Sequence, residues 1–284
     1  MTTRAGIKYR RPGAPFWPTS RQLLVGFIST IGQQLTPVST LLTASRLFGF
    51  SENQTRVALS RLVNKGTFER VENLGYRLAN QSHPIQQLAL SWREIPNVSQ
   101  RWSLNWYGVL TAEFPRSDRR AARHRNRALR YLGYKIFKNG LAIRPANIKR
   151  DLEGAREQLV SFGLEAEASV FEISSLGAQD HKYALELWDS ASIEKHYRHL
   201  AQEIETSFPR LKNLDIKEAL IENHVLGGVV IRHLLLDPLL PDEMCDSKLR
   251  NRLIKLLDKY EHHGRKRWVQ YLGSVGATNP FARV

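Results

Sequence analysis

The sequence predicts an α+β fold in three parts. Helix caps, apolar periodicity and a hairpin pattern indicate three helices and two strands in residues 20–80. Four β-prone runs bracket two helical patterns in residues 101–180, and apolar residues recur at helical spacing in 181–284. Residues 1–19 are predicted to form a basic arm, and 81–100 a linker.

The helices of the first part are bounded by recognisable start and stop signals. The first is expected from Thr19 or Ser20 to residue 31, and Pro37 is expected at the first position of the second. Ser51 is expected to cap a third helix that runs from Glu52 to Lys65. The predicted buried stripe of the third helix is Val57, Ala58, Leu59, Leu62 and Val63.

A hairpin follows the third helix. Gly66 ends that helix, and β-prone runs at 67–71 and 76–78 flank a turn at 72–75. Three helices followed by a hairpin is the order of a winged helix-turn-helix.

The third helix carries side chains suited to reading DNA bases. In the major groove Asn and Gln pair with adenine, Arg pairs with guanine, and Thr contacts a thymine methyl or a phosphate. The predicted helix contacts are Asn53, Gln54, Thr55, Arg56, Ser60, Arg61 and Lys65. The predicted hairpin contacts, with the DNA backbone or minor groove, are Arg70, Asn73 and Arg77. The alternative is a small helical domain with a solvated polar face.

Residues 101–180 predict the order βαββαβ, which is that of a ferredoxin-like domain. The strands are expected at residues 102–111, 134–137, 141–144 and 168–174. Ser117 is expected to cap the first helix, the second is expected over residues 148–162, and Asn139-Gly140 signals a hairpin turn.

The first helix of this domain is strongly basic. Its arginines are Arg119, Arg120, Arg123, Arg125, Arg127 and Arg130. A charge run of this kind is usually a solvated face, yet arginines with few acidic neighbours repel one another and favour an anionic partner. DNA phosphates and the phosphates of a CoA thioester are both candidates. We assign Arg119, Arg123 and Arg127 to effector binding, with the other interpretations open.

The helical C-terminal part contains a second group of candidate effector residues. Trp188, Tyr197, Arg232 and His233 could line an aromatic pocket with polar anchors that accepts an aryl group. The alternative is a packed aromatic core with a buried ion pair between Arg232 and Asp237.

Histidines in the same part could in principle bind a metal. His196 and His199 lie three residues apart, and His224 or His233 could supply a third ligand. Because no acid–histidine motif accompanies them, we expect ordinary histidines and no metal or cofactor.

The positive charge is concentrated in the first half of the chain. The net charge is +15, made up of +8 in residues 1–100, +11 in 101–150 and −4 in 151–284, so the first half is expected to meet a polyanion. No apolar run is long enough to span a membrane, and no signal sequence is recognisable. The single cysteine, Cys245, excludes an internal disulfide and suits a reducing cytoplasm.

Several motifs resemble those of the PaaX family of repressors of phenylacetic acid degradation. They are Ala58–Gly66 (ALSRLVNKG), Gly75-Tyr76-Arg77-Leu78, Leu187-Trp188-Asp189 followed by Tyr197, and Arg232–Pro241 (RHLLLDPLLP). The resemblance covers roughly residues 20–262. It implies the three-part fold given above, a dimer, and release from the operator by an aryl-CoA thioester, typically phenylacetyl-CoA. The extended basic arm departs from a generic member.

The sequence therefore predicts a cytoplasmic homodimeric repressor of an aromatic-catabolism operon, which binds double-stranded operator DNA and is not an enzyme. No nucleophile-elbow, P-loop, zinc-hydrolase or dinucleotide motif is present. One alternative is a metal-dependent nuclease that uses Glu113 at the first strand of the ferredoxin-like domain. The other is a nucleic-acid-binding protein without a small-molecule effector.

Overall fold

The computed structural model of the chain describes residues 16–31, 34–79, 84–115 and 117–280. The α+β class is confirmed, since helices are combined with two small antiparallel sheets. Most of the predicted basic arm lies outside the described residues. None of the described helices is both long enough and apolar enough to cross a bilayer.

Two compact units make up the chain, and they do not follow one another in sequence. The first contains Met1–Leu90, Leu200–Arg232 and Leu253–Val284. The second contains Ser91–His199 and His233–Arg252.

The first unit begins with α1 (Ser20–Ile31), α2 (Val38–Leu47) and α3 (Glu52–Asn64). Thr19 begins α1, because its hydroxyl accepts the backbone N–H of Gln22 at 3.3 Å. Pro37 stands at the N-cap of α2 and not at the predicted first helical position, so the helix begins one residue later than predicted, at Val38.

The predicted buried stripe of α3 is wrong at Val57, which is 41% exposed, and Val63 is only half-buried. The buried residues are Thr55, Ala58, Leu59 and Leu62. These positions follow the spacing i, i+3, i+4, i+7 of one helix face, whereas Val57 lies outside that face.

The hairpin consists of β1 (Phe68–Val71) and β2 (Gly75–Leu78), which pair antiparallel. Thr36 joins it to the loop before α2, because Thr36 and Tyr76 exchange backbone hydrogen bonds of 2.8 and 2.9 Å. Gly75 has φ +145°, and a Cβ there would lie 2.1 Å from the carbonyl oxygen of Thr36. Only glycine therefore fits this position.

The segment predicted as a linker contains regular structure over its described residues. Helix α4 (Pro84–Leu90) is followed by a 3₁₀ turn at Trp92–Glu94 and by α5 (Ile95–Val98).

The second unit is built on a four-stranded antiparallel sheet. In chain order its elements are β3 (Trp106–Leu110), α6 (Arg119–Tyr131), β4 (Lys135–Lys138), β5 (Leu141–Pro145), α7 (Leu152–Phe162) and β6 (Val170–Ile173). The strands lie in the order β4-β5-β3-β6. The first and last strands of this sheet in chain order, β3 and β6, are therefore neighbours.

Several predicted boundaries in this unit are wrong by a few residues. Strand β3 begins at Trp106 rather than 102, since Leu104 has φ +64° and interrupts the extended backbone. Asp118, not Ser117, caps α6, and its carboxylate accepts the backbone N–H groups of the next turn at 2.9 Å. Asp151 caps α7, which starts four residues later than predicted.

The remaining helices are α8 (Ala178–Leu185), α9 (Ser190–Arg210), α10 (Ile216–Leu235) and α11 (Ser247–Ser274). Within the first unit, α10 and α11 form the surface on which α1 and α2 pack. Phe27 meets Trp268 edge to face with 4.8 Å between ring centroids, and Phe48 meets His224 in the same way at 5.2 Å. The hydroxyl of Thr40 donates to the carbonyl of Thr278 at 2.8 Å.

Replacing Gly75 by alanine is expected to destabilise the protein by more than about 1 kcal/mol, since the new methyl group meets the backbone of Thr36 in a left-handed conformation. Gly228→Ala is the matched control. Gly228 lies in α10 with nothing within 4 Å of its added Cβ, so this change should stabilise by about 0.5–1 kcal/mol. Thermal unfolding of both variants tests the expectation, and equal melting temperatures would contradict it.

Acid is expected to destabilise the protein through His224. Loss of hydration lowers the pKa of His224 from its ordinary 6.5 to about 4. The contribution is intact above pH 6.5 and is lost as the pH falls towards 4, because the unfolded chain takes up a proton that the folded chain excludes. His224→Phe keeps an aromatic ring against Phe48 and should reduce the fall in melting temperature between pH 7 and 4.5. An unchanged pH slope would rule out this role.

Candidate nucleic-acid interface

Helix α3 is oriented by a capping box and by its buried face. Ser51 Oγ accepts the backbone N–H of Gln54 at 3.2 Å, and Gln54 Oε1 accepts the backbone N–H of Ser51 at 2.8 Å. The buried side packs against α1, α2 and β1. The solvent side carries Asn53, Arg56, Val57, Ser60, Arg61, Asn64 and Lys65.

The centre of the solvent side is uncharged. Asn53, Val57, Ser60 and Asn64 are spaced by three or four residues and form one row along α3, here called the central strip. Helical periodicity puts Arg56 on one side of the row and Arg61 on the other. An uncharged strip between cations can meet base edges while its flanks reach phosphates.

Two residues predicted to read bases instead use their side chains in hydrogen bonds at the start of α3. Thr55 is fully buried, and its hydroxyl donates to the carbonyl of Ser51 at 2.9 Å, so the predicted contact between Thr55 and DNA is wrong. Gln54 is exposed, but its side-chain oxygen serves the capping box. Bidentate pairing of Gln54 with adenine would therefore require the capping box to open.

Arg56 is exposed but is engaged in an ion pair. Its guanidinium donates two hydrogen bonds to one oxygen of Glu52, at 2.8 and 2.9 Å. The hydrogen bond from Arg56 and its charge hold the pKa of Glu52 below its usual value. Because both side chains are solvated, exchanging this pair for a base or phosphate costs little.

A groove of about 460 Å³ lies beside α3. Its apolar lining residues are Phe50, Val57 and Ala58, and its cationic ones are Arg21, Arg61 and Lys65. None of these three exposed cations is paired with a carboxylate of the described residues. Sequence reasoning missed Arg21 because it considered only the apolar stripe of α1. The sequence signal was a basic residue directly after a helix cap.

Two of the three hairpin residues predicted to contact DNA are exposed, and the third forms an ion pair within the hairpin. Arg70 and Asn73 are exposed, and Asn73 has φ +58° in the turn. Arg77 instead donates to both carboxylate oxygens of Glu69, its partner across the strand pair, at 3.0 Å. Arg77 is therefore less available for DNA than the sequence suggests.

Helix α6 presents a row of arginines in the second unit. Arg119, Arg123 and Arg130 are exposed and follow one helix face, with Arg120 and Arg127 beside them. None of these five is paired with a carboxylate among the described residues, and the Nε of Arg127 is buried without an acceptor there.

Arg125 does not belong to this cationic face. It is buried and forms an ion pair with Glu165, with its guanidinium near the ring of Phe114. The packing side of α6 therefore includes one of the six arginines predicted to form the basic surface.

The predicted aromatic pocket is filled by packing. Trp188 stacks on Trp106 with 6.2 Å between ring centroids, and both rings are buried. Tyr197 is 1% exposed and donates to Asp237. His233 is half-buried, with its pKa lowered by burial and its ring 5.4 Å from that of His196.

The predicted ion pair of Asp237 has a different partner. Asp237 lies 3.6 Å from Arg250, and both side chains are buried. Arg232 is exposed. The four residues predicted to line an aryl pocket thus comprise two core aromatics, one half-buried histidine and one exposed cation.

The remaining candidate chemical groups are dispersed. The described residues contain no group of three histidine, cysteine or acidic side chains that could hold one metal ion. His199 is exposed, and burial raises the pKa of Cys245 to about 11. Glu113, on which the nuclease alternative depends, is exposed beyond the end of β3 and accepts a hydrogen bond from Ser169 at 3.4 Å.

Comparison with known proteins yields a likeness of fold. No protein-family model matches the chain, and no curated protein matches it. Among solved structures, the uncharacterized protein Rv0674 from Mycobacterium tuberculosis is similar, with a TM-score of 0.54 and 20% sequence identity. The match covers 84% of this chain and 97% of that one. The chain thus shares the overall fold of that protein.

Proposed function

We propose that this chain is a DNA-binding transcriptional repressor in which residues 20–78 act as a winged helix-turn-helix. Helix α3 lies in the major groove and the β1–β2 hairpin is the wing. The observation that carries the proposal is the solvent side of α3, where an uncharged central strip runs between basic side chains. Its buried face and capping box hold this surface in place.

Phosphate contacts come from the cations beside the strip. Arg21, Arg61 and Lys65 have no described carboxylate partner and border one groove, so a phosphodiester strand gives them counter-charges. Arg70 adds a cation on the wing. The charge of +8 in residues 1–100 supports sequence-independent attraction to DNA as well.

The second unit is proposed to be a ferredoxin-like domain that binds the anionic part of an effector. The strand order β4-β5-β3-β6 and the helices between these strands support that fold. The phosphates of a CoA thioester are complementary in charge to the arginine row of α6, in which Arg119, Arg123 and Arg130 are exposed.

The aryl-CoA effector and the dimer are inferred from the resemblance to the PaaX repressors. An effector that binds better to the conformation unable to hold DNA would release a palindromic operator by population shift. The packing of Trp188 and Tyr197 argues against a preformed aryl pocket at those two rings, so the arginine row carries the effector proposal.

Removing two charges beside the strip is expected to reduce the salt dependence of DNA binding. Arg61→Gln with Lys65→Gln should make the plot of log affinity against log salt concentration shallower by about two units. Lys255→Gln with Lys259→Gln is the matched control, since both lysines are exposed on α11 with the same spacing. Titrations of a labelled duplex from 50 to 300 mM salt provide the measurement. Equal slopes for the two double variants would refute the phosphate contacts.

Changing Arg119, Arg123 and Arg127 together to glutamine tests the effector proposal. Glutamine keeps the helix propensity nearly constant, so α6 should still form. We expect operator affinity to be retained and release by phenylacetyl-CoA to be lost, as measured by fluorescence anisotropy of an operator duplex. Retained release would contradict the effector site, and a large loss of operator affinity would instead indicate that α6 contacts DNA.

A further inference from the structure

We infer that Val57 contacts a thymine methyl group at the centre of each operator half-site, next to an adenine bound by Asn53. This inference rests on the proposed function, since it concerns the base sequence that α3 recognises. It begins from an apolar side chain that is 41% exposed in the middle of a polar helix face.

The fold gains little from valine at this position. The α3 residues that pack on the rest of the unit are Thr55, Ala58, Leu59 and Leu62, and Val57 lies off that face. Valine also has a lower helix propensity than alanine. A valine that is 41% exposed between Asn53 and Ser60 thus adds little to the packing of α3 and nothing to its intrinsic helix stability.

The neighbours of Val57 restrict what can cover it. Arg61 flanks the central strip on one side without a carboxylate partner among the described residues, and Arg56 on the other side can leave its solvated ion pair with Glu52 at little cost. An incoming surface must therefore combine negative charge at the flanks with an apolar spot between them. The major groove offers this combination, because phosphates line its edges and the methyl group of thymine projects from its floor. Charge complementarity therefore selects DNA over an apolar peptide or lipid.

Asn53 supplies the adjoining polar contact. It is exposed one turn before Val57, and a side-chain amide pairs with the N6 and N7 atoms of adenine. Side chains four positions apart in a helix are about 5–6 Å apart at Cβ, and base pairs are stacked about 3.4 Å apart. The adenine and the thymine should therefore lie within about two base pairs of each other.

The experiment removes the methyl group from the DNA and the side chain from the protein. The full chain selects duplexes from a random pool, and each thymine of the selected half-site is then replaced by deoxyuridine. We expect one position at which this replacement weakens binding about fourfold, the effect of losing one buried methyl group. Val57→Ala should bind the thymine duplex more weakly and should not distinguish thymine from deoxyuridine.

Three further variants keep the test interpretable. Val160→Ala makes the same change at a residue of α7 that is 36% exposed, and this variant should retain the full thymine effect. Val57→Thr keeps one methyl group and should retain part of it. Asn53→Ala should lose preference for an adenine within two base pairs of that thymine.

The outcomes separate this inference from the proposed function. A selected sequence whose thymines can all be replaced without effect, or a Val57→Ala variant as sensitive as the wild type, would overturn the contact and leave the repressor proposal standing. If Val57 served a small molecule in the groove, deoxyuridine would have no effect and the contact would likewise be overturned. Failure to select any sequence would overturn both.

Discussion

The packing of α1 and α2 on α10 and α11 is the interaction on which the first unit depends. A module of about sixty residues buries too little surface to be more than marginally stable alone. Here Phe27 and Phe48 place their rings against Trp268 and His224. Helix α1 lies close to His224, as shown by the distance of 3.0 Å that a Cβ added at Gly26 would have from the ring of His224. With α1 and α2 anchored in this way, α3 can commit one face to the core and leave the other exposed to solvent.

The candidate interface differs from the sequence-based prediction mainly in which residues of α3 face the core and which face solvent. Caps and glycines located α3 and the hairpin well, because Ser51 and Gly75 have local roles. Chemical type predicts that Val57 is buried and Thr55 exposed, and the structure reverses both. Thr55, Ala58, Leu59 and Leu62 keep the spacing of one face, so phase alone could have identified Thr55 as buried and Val57 as exposed.

Partners distant in sequence could not be predicted. The basic run of α6 was recognisable, but the pairing of Arg125 with Glu165 spans forty positions and depends on the tertiary fold. Asp237 likewise pairs with Arg250 and not with Arg232, which is closer in sequence. The charge composition indicates that the chain binds a polyanion. Which basic side chains are available to bind it depends on the ion pairs that they form within the fold. In the interface, Arg56 and Arg77 already have carboxylate partners, while Arg61, Lys65 and Arg21 have none among the described residues.

The central claim is that α3 is the surface that meets DNA. It is tested most directly by placing a photo-reactive amino acid at Ser60 on α3 or at Asn126 on α6, both of which are exposed. Each protein is irradiated with a duplex selected by the unmodified chain. We expect a covalent adduct with DNA from position 60 and none from position 126. An adduct from position 126 alone would contradict the central claim and would assign DNA binding to the arginine row.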